Sequence, residues 1–198
     1  MEELEIVEGL RSQQPQAAMA ALFEKYADRV YHLAVGLLGD EDAAEDVVQD
    51  TFLAVFRNRL QFEGRSSAGT WLYRIAYNLS LDRLRAKQTL PLPDDDGTDE
   101  MDNPSPLPRE FVEWRWLPEE LIQNQQQRKA LTEAIQTLSP ALRAVFILRD
   151  VEELSTEETA AILSISAAAV KVRLHRARLE LREKLAAFFA AQEKGTTQ

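Results

Sequence analysis

The chain has 198 residues, 45% of them apolar, a formal charge of −10 and no cysteine. That apolar share supports one domain or two small ones with real cores, while the absence of thiols excludes a disulfide scaffold and a thiolate metal site and fits a reducing compartment. No apolar run approaches membrane-spanning length and the N-terminus Met-Glu-Glu-Leu-Glu is acidic, so neither stable membrane insertion nor a signal peptide is expected, and the expected location is the cytoplasm.

The negative charge is unevenly placed. Residues 1–87 carry a net −4, residues 88–127 a net −8 and residues 128–198 a net +2. The overall acidity therefore does not exclude nucleic acid, because binding depends on the local basic face.

Residues 1–16 are polar and acidic, with Gly9 and Pro15, and read as a loose lead-in with a short helical turn around Leu4–Val7. From Ala17, Leu22, Tyr26, Val30, Leu33 and Leu37 recur near one face of a helix. His32 in that helix reads as a partly buried structural residue. Gly39-Asp40 stops the helix, and Asp40 caps the next. That second helix, Glu41–Arg59, has Ala44, Val47, Val48, Thr51, Phe52, Val55 and Phe56 as its apolar side. The acids Asp42, Glu45, Asp46 and Asp50 lie mostly elsewhere. They read equally well as a solvated face favouring the helix N-terminus or as a docking surface for a basic partner. Asp46 and Asp50, one turn apart, repel each other.

A polar loop, Leu60–Gly69, carries Arg65, Ser66 and Ser67 and leads into a helix over Thr70–Arg85. Leu72, Ile75, Ala76 and Leu79 form its core side. Trp71, Tyr73, Arg74, Tyr77, Asn78, Arg83 and Arg85 mix aromatics, an amide and bases. Such aromatics are commonly core residues; interleaved with arginine they also suit stacking on unpaired bases.

Residues 86–118 change character, holding six of the eight prolines and the acidic runs Asp94-Asp95-Asp96-Gly97 and Asp99-Glu100-Met101-Asp102. They read as an acidic, proline-rich linker. The first acidic run lacks calcium-loop spacing. Phe111, Trp114 and Trp116 stand near the linker's end.

A helix over Glu119–Thr137, with Leu131, Ile135 and Leu138 inward, opens the second half. Ser139-Pro140 is a cap with proline at the first helical position, and the helix Pro140–Arg149 buries Leu142, Val145, Phe146 and Leu148. Ser155 followed by Glu158 forms a capping box, starting a helix at Thr156. After the break Ser164-Ile165-Ser166, Ser166 caps a helix that runs beyond Leu185 and is closed by Phe188-Phe189, with residues 193–198 frayed. Val170, Leu174, Ala177 and Leu181 make its buried stripe, and Lys171, Arg173, His175, Arg176, Arg178 and Arg182 occupy the rest. A short helix, a tight turn and a basic second helix form a helix-turn-helix, whose second helix enters the major groove. Bases near a helix C-terminus also favour the dipole, but these arginines begin within the first two turns, which points to phosphate contacts.

His32 and His175 lie far apart without metal-ligand spacing, and no nucleophile–base pair or phosphate loop is evident. The chain is therefore expected to have no metal, cofactor or enzymatic activity. The expected fold is all-α: two small helical domains joined by the acidic linker, the C-terminal one a helix-turn-helix.

Both halves resemble the two helical domains of bacterial RNA polymerase sigma factors of the small extracytoplasmic-function group. In the first half the likeness is carried by Ala21–Ala34, Asp42–Phe56, Phe62–Ser67 and Thr70–Arg85; in the second, by Leu138–Leu148, Ser155–Ser166 and Val170–Leu181. The resemblance implies a region 2-like domain over 17–87, a linker over 88–118 and a region 4-like domain over 119–192. It implies that Glu45, Asp46, Asp50 and Phe52 dock on the clamp helices of the core polymerase's largest subunit. Phe62, Arg65, Ser66, Trp71, Tyr73, Arg74, Asn78 and Arg83 would read and melt the −10 region, holding an unpaired base of the single strand. Ser166, Lys171, Arg173, His175, Arg176 and Arg178 would contact the duplex −35 element, with the domain seated on the polymerase flap. The linker would run toward the RNA exit channel. The resemblance further implies silencing by an anti-sigma protein. One departure stands out: Ala168-Ala169-Val170-Lys171-Val172 replaces the Gly-Thr before and the Ser after Val-Lys found in many relatives. Alanine packs on a thymine methyl but cannot donate to a base edge, so the −35 sequence does not transfer. The alternative is a dimeric helix-turn-helix regulator binding duplex DNA without the polymerase, which leaves the Trp71–Arg85 composition and the acidic stripe unused.

Overall fold

The computed structural model describes residues 3–12, 14–64, 66–87 and 125–195, all of whose regular elements are helical. Arg65, the segment 88–124 with Phe111, Trp114 and Trp116, and the start expected at Glu119 lie outside the described residues.

The chain does not begin with a loose lead-in. A full helix, α1 (Glu3–Arg11), precedes α2 (Gln16–Leu38). Ile6 and Leu10, one turn apart, are buried and seat α1 on the first half's core. Glycine in the left-handed conformation ends α2 at Gly39, and Asp40 caps α3 (Glu41–Asn58) by accepting from the Ala43 N–H at 3.0 Å. Lys87, at the end of α4 (Ala68–Lys87), reaches back to Asp40 at 2.6 Å. That bond, with the Ala43 N–H, holds the Asp40 carboxyl below the usual aspartate range. The expected stripe of α2 is buried as predicted, from Leu22 to Leu37, but His32 is exposed. Phe56, expected on the apolar side of α3, is also exposed, because the buried arc there stops at Val55.

In the second half, α5 (Gln125–Gln136) turns its alanines inward: Ala130 and Ala134 are buried, while Leu131 and Ile135 are only half-buried. Ser139 caps α6 (Pro140–Phe146), with proline in the first turn, and Leu142 is half-buried where a core position was expected. The helix does not continue to Arg149 in α-form. Ile147–Val151 is a turn of π-helix, and Glu153 follows with a left-handed φ of 56°. The wider turn shifts the helical phase and carries Glu152 into the interior. Ser155 and Glu158 make the predicted capping box at the start of α7 (Thr156–Leu163), and their bonds hold the Glu158 carboxyl low. Ser166 caps α8 (Ala167–Gly195) through the Ala169 N–H at 3.1 Å. Val170, Leu174, Ala177 and Leu181 are buried as the spacing predicts, and the helix runs through Gly195, past the expected fraying point.

The halves are packed together over one continuous core. Gly36 of α2 lies against the π turn so closely that a Cβ there would fall 2.6 Å from the Ile147 Cδ1. Arg143, buried in α6, donates to the Leu37 carbonyl at 2.7 Å, to Gln136 Oε1 at 2.7 Å, and to the backbone carbonyls of Gln136 and Leu138. Gln136 in turn donates to the Gly36 carbonyl at 2.9 Å. The second half thus caps the end of α2.

Candidate functional site

Three surfaces carry the predicted residues. On α3, Glu45, Asp46 and Asp50 are exposed in one stripe. Arg83 of α4 reaches across to Asp50 at 2.8 Å and Asp46 at 3.7 Å, offsetting their mutual repulsion. Arg83 therefore lies among the acids and away from the loop with which it had been grouped. Phe52 is buried, its ring tilted against Phe23 at 4.8 Å. Around it Phe23, Leu53, Phe56 and Leu60 are exposed large apolar residues, and Arg59 sits over the Phe56 ring at 4.6 Å. An acidic stripe beside an apolar patch can take a partner that combines bases with apolar anchors.

The second surface is the loop before α4. Phe62 is buried and stacked on Trp71, with ring centroids 4.8 Å apart and planes 21° apart. Phe62 thus supports Trp71, which keeps a half-exposed face. At the other end Ser67 accepts from the Thr70 N–H at 3.0 Å and pairs with the Thr70 hydroxyl at 2.9 Å, capping α4. Ser66 lies half-buried between them, and Gly64 takes the left-handed φ of 73° that glycine alone tolerates easily. Asn78 and Arg74 are exposed on α4; Tyr73 is buried and points to the other half.

The third surface is α7–α8. Lys171 and Arg176 are exposed, and Arg173 and His175 are half-buried. Ser166 serves the helix as its cap. Arg178 grips Asp150 of the π turn through two bonds of 2.9 and 2.7 Å, a bidentate pair that ties α8 to its own half. Arg178 is thus committed to the fold.

Where the halves meet, one carboxylate gathers the contacts. Glu152 has a side chain 3% exposed; it accepts from Arg29 Nε at 2.8 Å and from the Tyr73 hydroxyl at 2.6 Å, and its carbonyl takes a second Arg29 bond at 2.6 Å. His32 Nδ1 stands 3.8 Å from its other oxygen. Burial, then the bond to Glu152, push the Tyr73 hydroxyl far above the usual tyrosine range. Arg74 donates to the Ala161 carbonyl of α7 at 2.8 Å, so two of the residues grouped with the loop hold the second half instead. Glu152, Arg29 and Arg143 escaped the sequence reading. A buried-register glutamate after a helix was the one available hint.

Comparison with known proteins places both halves in a family. Residues 22–89 match the Sigma-70 region 2 family and residues 128–181 the Sigma-70 region 4 family. The ECF RNA polymerase sigma factor SigW of Bacillus subtilis is 34% identical, over 86% of this chain and 90% of its own. The chain belongs to the ECF RNA polymerase sigma factors. SigE of Mycolicibacterium smegmatis is 36% identical over 86% of this chain, which spans 64% of that longer protein. Among solved structures, the sigma factor RpoE in complex with the anti-sigma factor NepR from Bartonella quintana is 26% identical, with a TM-score of 0.63 over 84% of this chain and 96% of its own. CnrH, in complex with the cytosolic domain of CnrY, has a TM-score of 0.67 over 93% of this chain and 97% of its own; at 21% identity it shows the fold alone. Like its family, this sigma factor recruits RNA polymerase and directs promoter recognition, and it is a non-catalytic subunit. No helix among the described residues is long and apolar enough to cross a membrane. The region 2 match takes in the acidic stripe and the loop, and the region 4 match takes in the helix-turn-helix.

Proposed function

We propose the following division of labour within this sigma factor. The domain over 17–87 docks on the clamp helices of the polymerase's largest subunit through Glu45, Asp46 and Asp50, with Leu53, Phe56, Leu60 and Phe23 as apolar anchors and Phe52 as the core residue beneath them. The loop Phe62–Ser67, with Arg65, Ser66, Trp71, Arg74 and Asn78, holds the melted −10 strand, Trp71 offering its exposed face to a base. The domain over 119–192 sits on the flap, and Lys171, Arg173, His175 and Arg176 meet the −35 duplex, several of them at phosphates. The acidic segment 88–118 spans the two. The observation that supports this reading best is the half-exposed Trp71 backed by the stacked Phe62 ring, beside the Ser67–Thr70 cap at the start of α4.

The packed arrangement cannot serve on a promoter. Elements nominally about 25 base pairs apart lie roughly 80 Å apart at about 34–36 Å per turn of duplex, whereas α4 touches α7 through Arg74 and Ala161. Joining core polymerase therefore parts the halves, and only then are Arg74 and Tyr73 released from Ala161 and Glu152. An anti-sigma protein, the kind of partner the Bartonella relative has in its complex, favours the closed form.

Transcription on a supercoiled genomic library with core polymerase and this protein tests the reading. Discrete starts sharing two upstream elements are expected, and these should vanish with Trp71→Ala and Lys171→Ala/Arg176→Ala. Tight, specific duplex binding by the protein alone, without new starts, would sink it.

A further inference from the structure

The region 2 match begins at residue 22, so α1 stands before it. Yet α1 reaches the loop. Arg11, in its last turn, donates through Nε to the Phe62 carbonyl at 3.1 Å, and its Nη2 bonds the same oxygen. The two residues are 51 positions apart in sequence. Buried Ile6 and Leu10 root the helix that carries this arginine, and Ser12 closes its end by bonding the Gly9 carbonyl through both N–H and hydroxyl. Phe62 is thereby held at three points: its ring on Trp71, its N–H on the Arg59 carbonyl at 3.4 Å, and its carbonyl on Arg11. Phe62 is also the residue at which the loop leaves the preceding short turn, Arg59–Gln61.

We propose that Arg11 is a positioning residue for the −10 loop, so that a helix outside the region 2 match takes part in promoter opening. The inference rests on the reading of Phe62–Ser67 given above. A carbonyl at the loop's entry sets the direction of the following peptide. Two charge-assisted donors from one planar guanidinium fix that direction better than a single donor. Holding the loop in its binding shape beforehand removes the ordering cost that capture of an unpaired base would otherwise meet. Arg11 touches no DNA in this scheme and acts through Phe62 and Trp71.

The test uses full-length Arg11→Gln, Arg11→Lys and Trp71→Ala proteins assembled with core polymerase. Core affinity, thermal stability and melting of a 2-aminopurine-labelled −10 region are measured on each. Arg11→Gln is expected to keep core affinity and melting temperature while open complex falls about tenfold, the order expected for losing charged hydrogen bonds; Arg11→Lys should recover part of it. Discrimination between bases in the −10 element should weaken, and at the −35 element it should not change. Normal opening by Arg11→Gln where Trp71→Ala is defective would overturn the inference alone. A parallel loss of stability, core affinity and opening would also overturn it, reducing Arg11 to a structural contact. Normal opening by Trp71→Ala would instead sink the loop reading beneath it.

Discussion

Asp50 with Arg83 and Glu152 with Arg29 both pair a carboxylate with a guanidinium at the same 2.8 Å. Their surroundings separate them. Asp50 and Arg83 have side chains 49% and 27% exposed, join two helices of one half, and leave Asp46 as a second partner. Glu152 is almost wholly buried, joins the two halves, and shares its oxygens with Tyr73. A surface pair contributes at most about 1 kcal/mol, so the acids of α3 can exchange Arg83 for a partner's base at little cost. A buried pair stabilises less than its geometry suggests, but removing one member strands the other, at a cost of about 3–5 kcal/mol. The ion pairs on α3 are built to be traded, and the junction is built around one group.

The largest effect should come from breaking the junction. Glu152→Ala is expected to weaken the closed arrangement by about 3 kcal/mol, the low end of that range because Arg29 is 40% exposed and can rehydrate. Labels on α2 and α8 should then report a shift from one short distance to a broad, long distribution; an unchanged short distance would show that apolar packing alone closes the protein. Phe56→Ala comes next. Loss of a central aromatic anchor should cost about 2 kcal/mol of core binding, read by competition against the unmodified protein, with the interdomain distance unmoved. Ser155→Ala removes a helix cap and should lower stability by about 1 kcal/mol. The pH dependence of the capping box follows from its carboxylate. Since Glu158 is held below its ordinary value in the folded state, its contribution is present at neutral pH and fades as pH falls through the folded value. Melts of Glu158→Gln and the parent should therefore converge in acid, whereas Ser155→Ala keeps the backbone N–H from which Glu158 accepts and should stay below the parent. The smallest effect is the Asp50–Arg83 coupling, expected below about 1 kcal/mol in a double-mutant cycle of stability. A larger coupling would erase the contrast between the two pairs.

Much of the fold was legible because its signals are local. The Asp40 cap, the Gly39 stop, the Ser155–Glu158 box and the stripe Val170, Leu174, Ala177, Leu181 each depend on residues within a turn or two, and each is present. What escaped depends on distant partners. Two anchors, Ile6 and Leu10, gave α1 too short a period to stand out, and the core it meets comes from other helices. Tyr73 and Arg74 looked like neighbours of the loop until α7 and the π turn came to lie against them. Arg178 reads as one more base on a basic helix, and its partner Asp150 sits 28 residues away. The acids of α3 were visible, but the exposed apolar residues beside them were not, since the periodicity that marks a core assigned Phe56 to it.

The capping of α2 by the second half has a consequence for how water takes part in opening. When the halves part, the Gly36 and Leu37 carbonyls lose Gln136 and Arg143. They are terminal carbonyls of a helix, which solvent satisfies as readily as a side chain does. Arg143 keeps its bonds to the Gln136 side chain and to the Gln136 and Leu138 carbonyls, all within its own half. The parting strands no further dipole on either side. Hydration substitutes for the lost bonds one for one, so this part of the junction can be closed and reopened many times without either half having to refold.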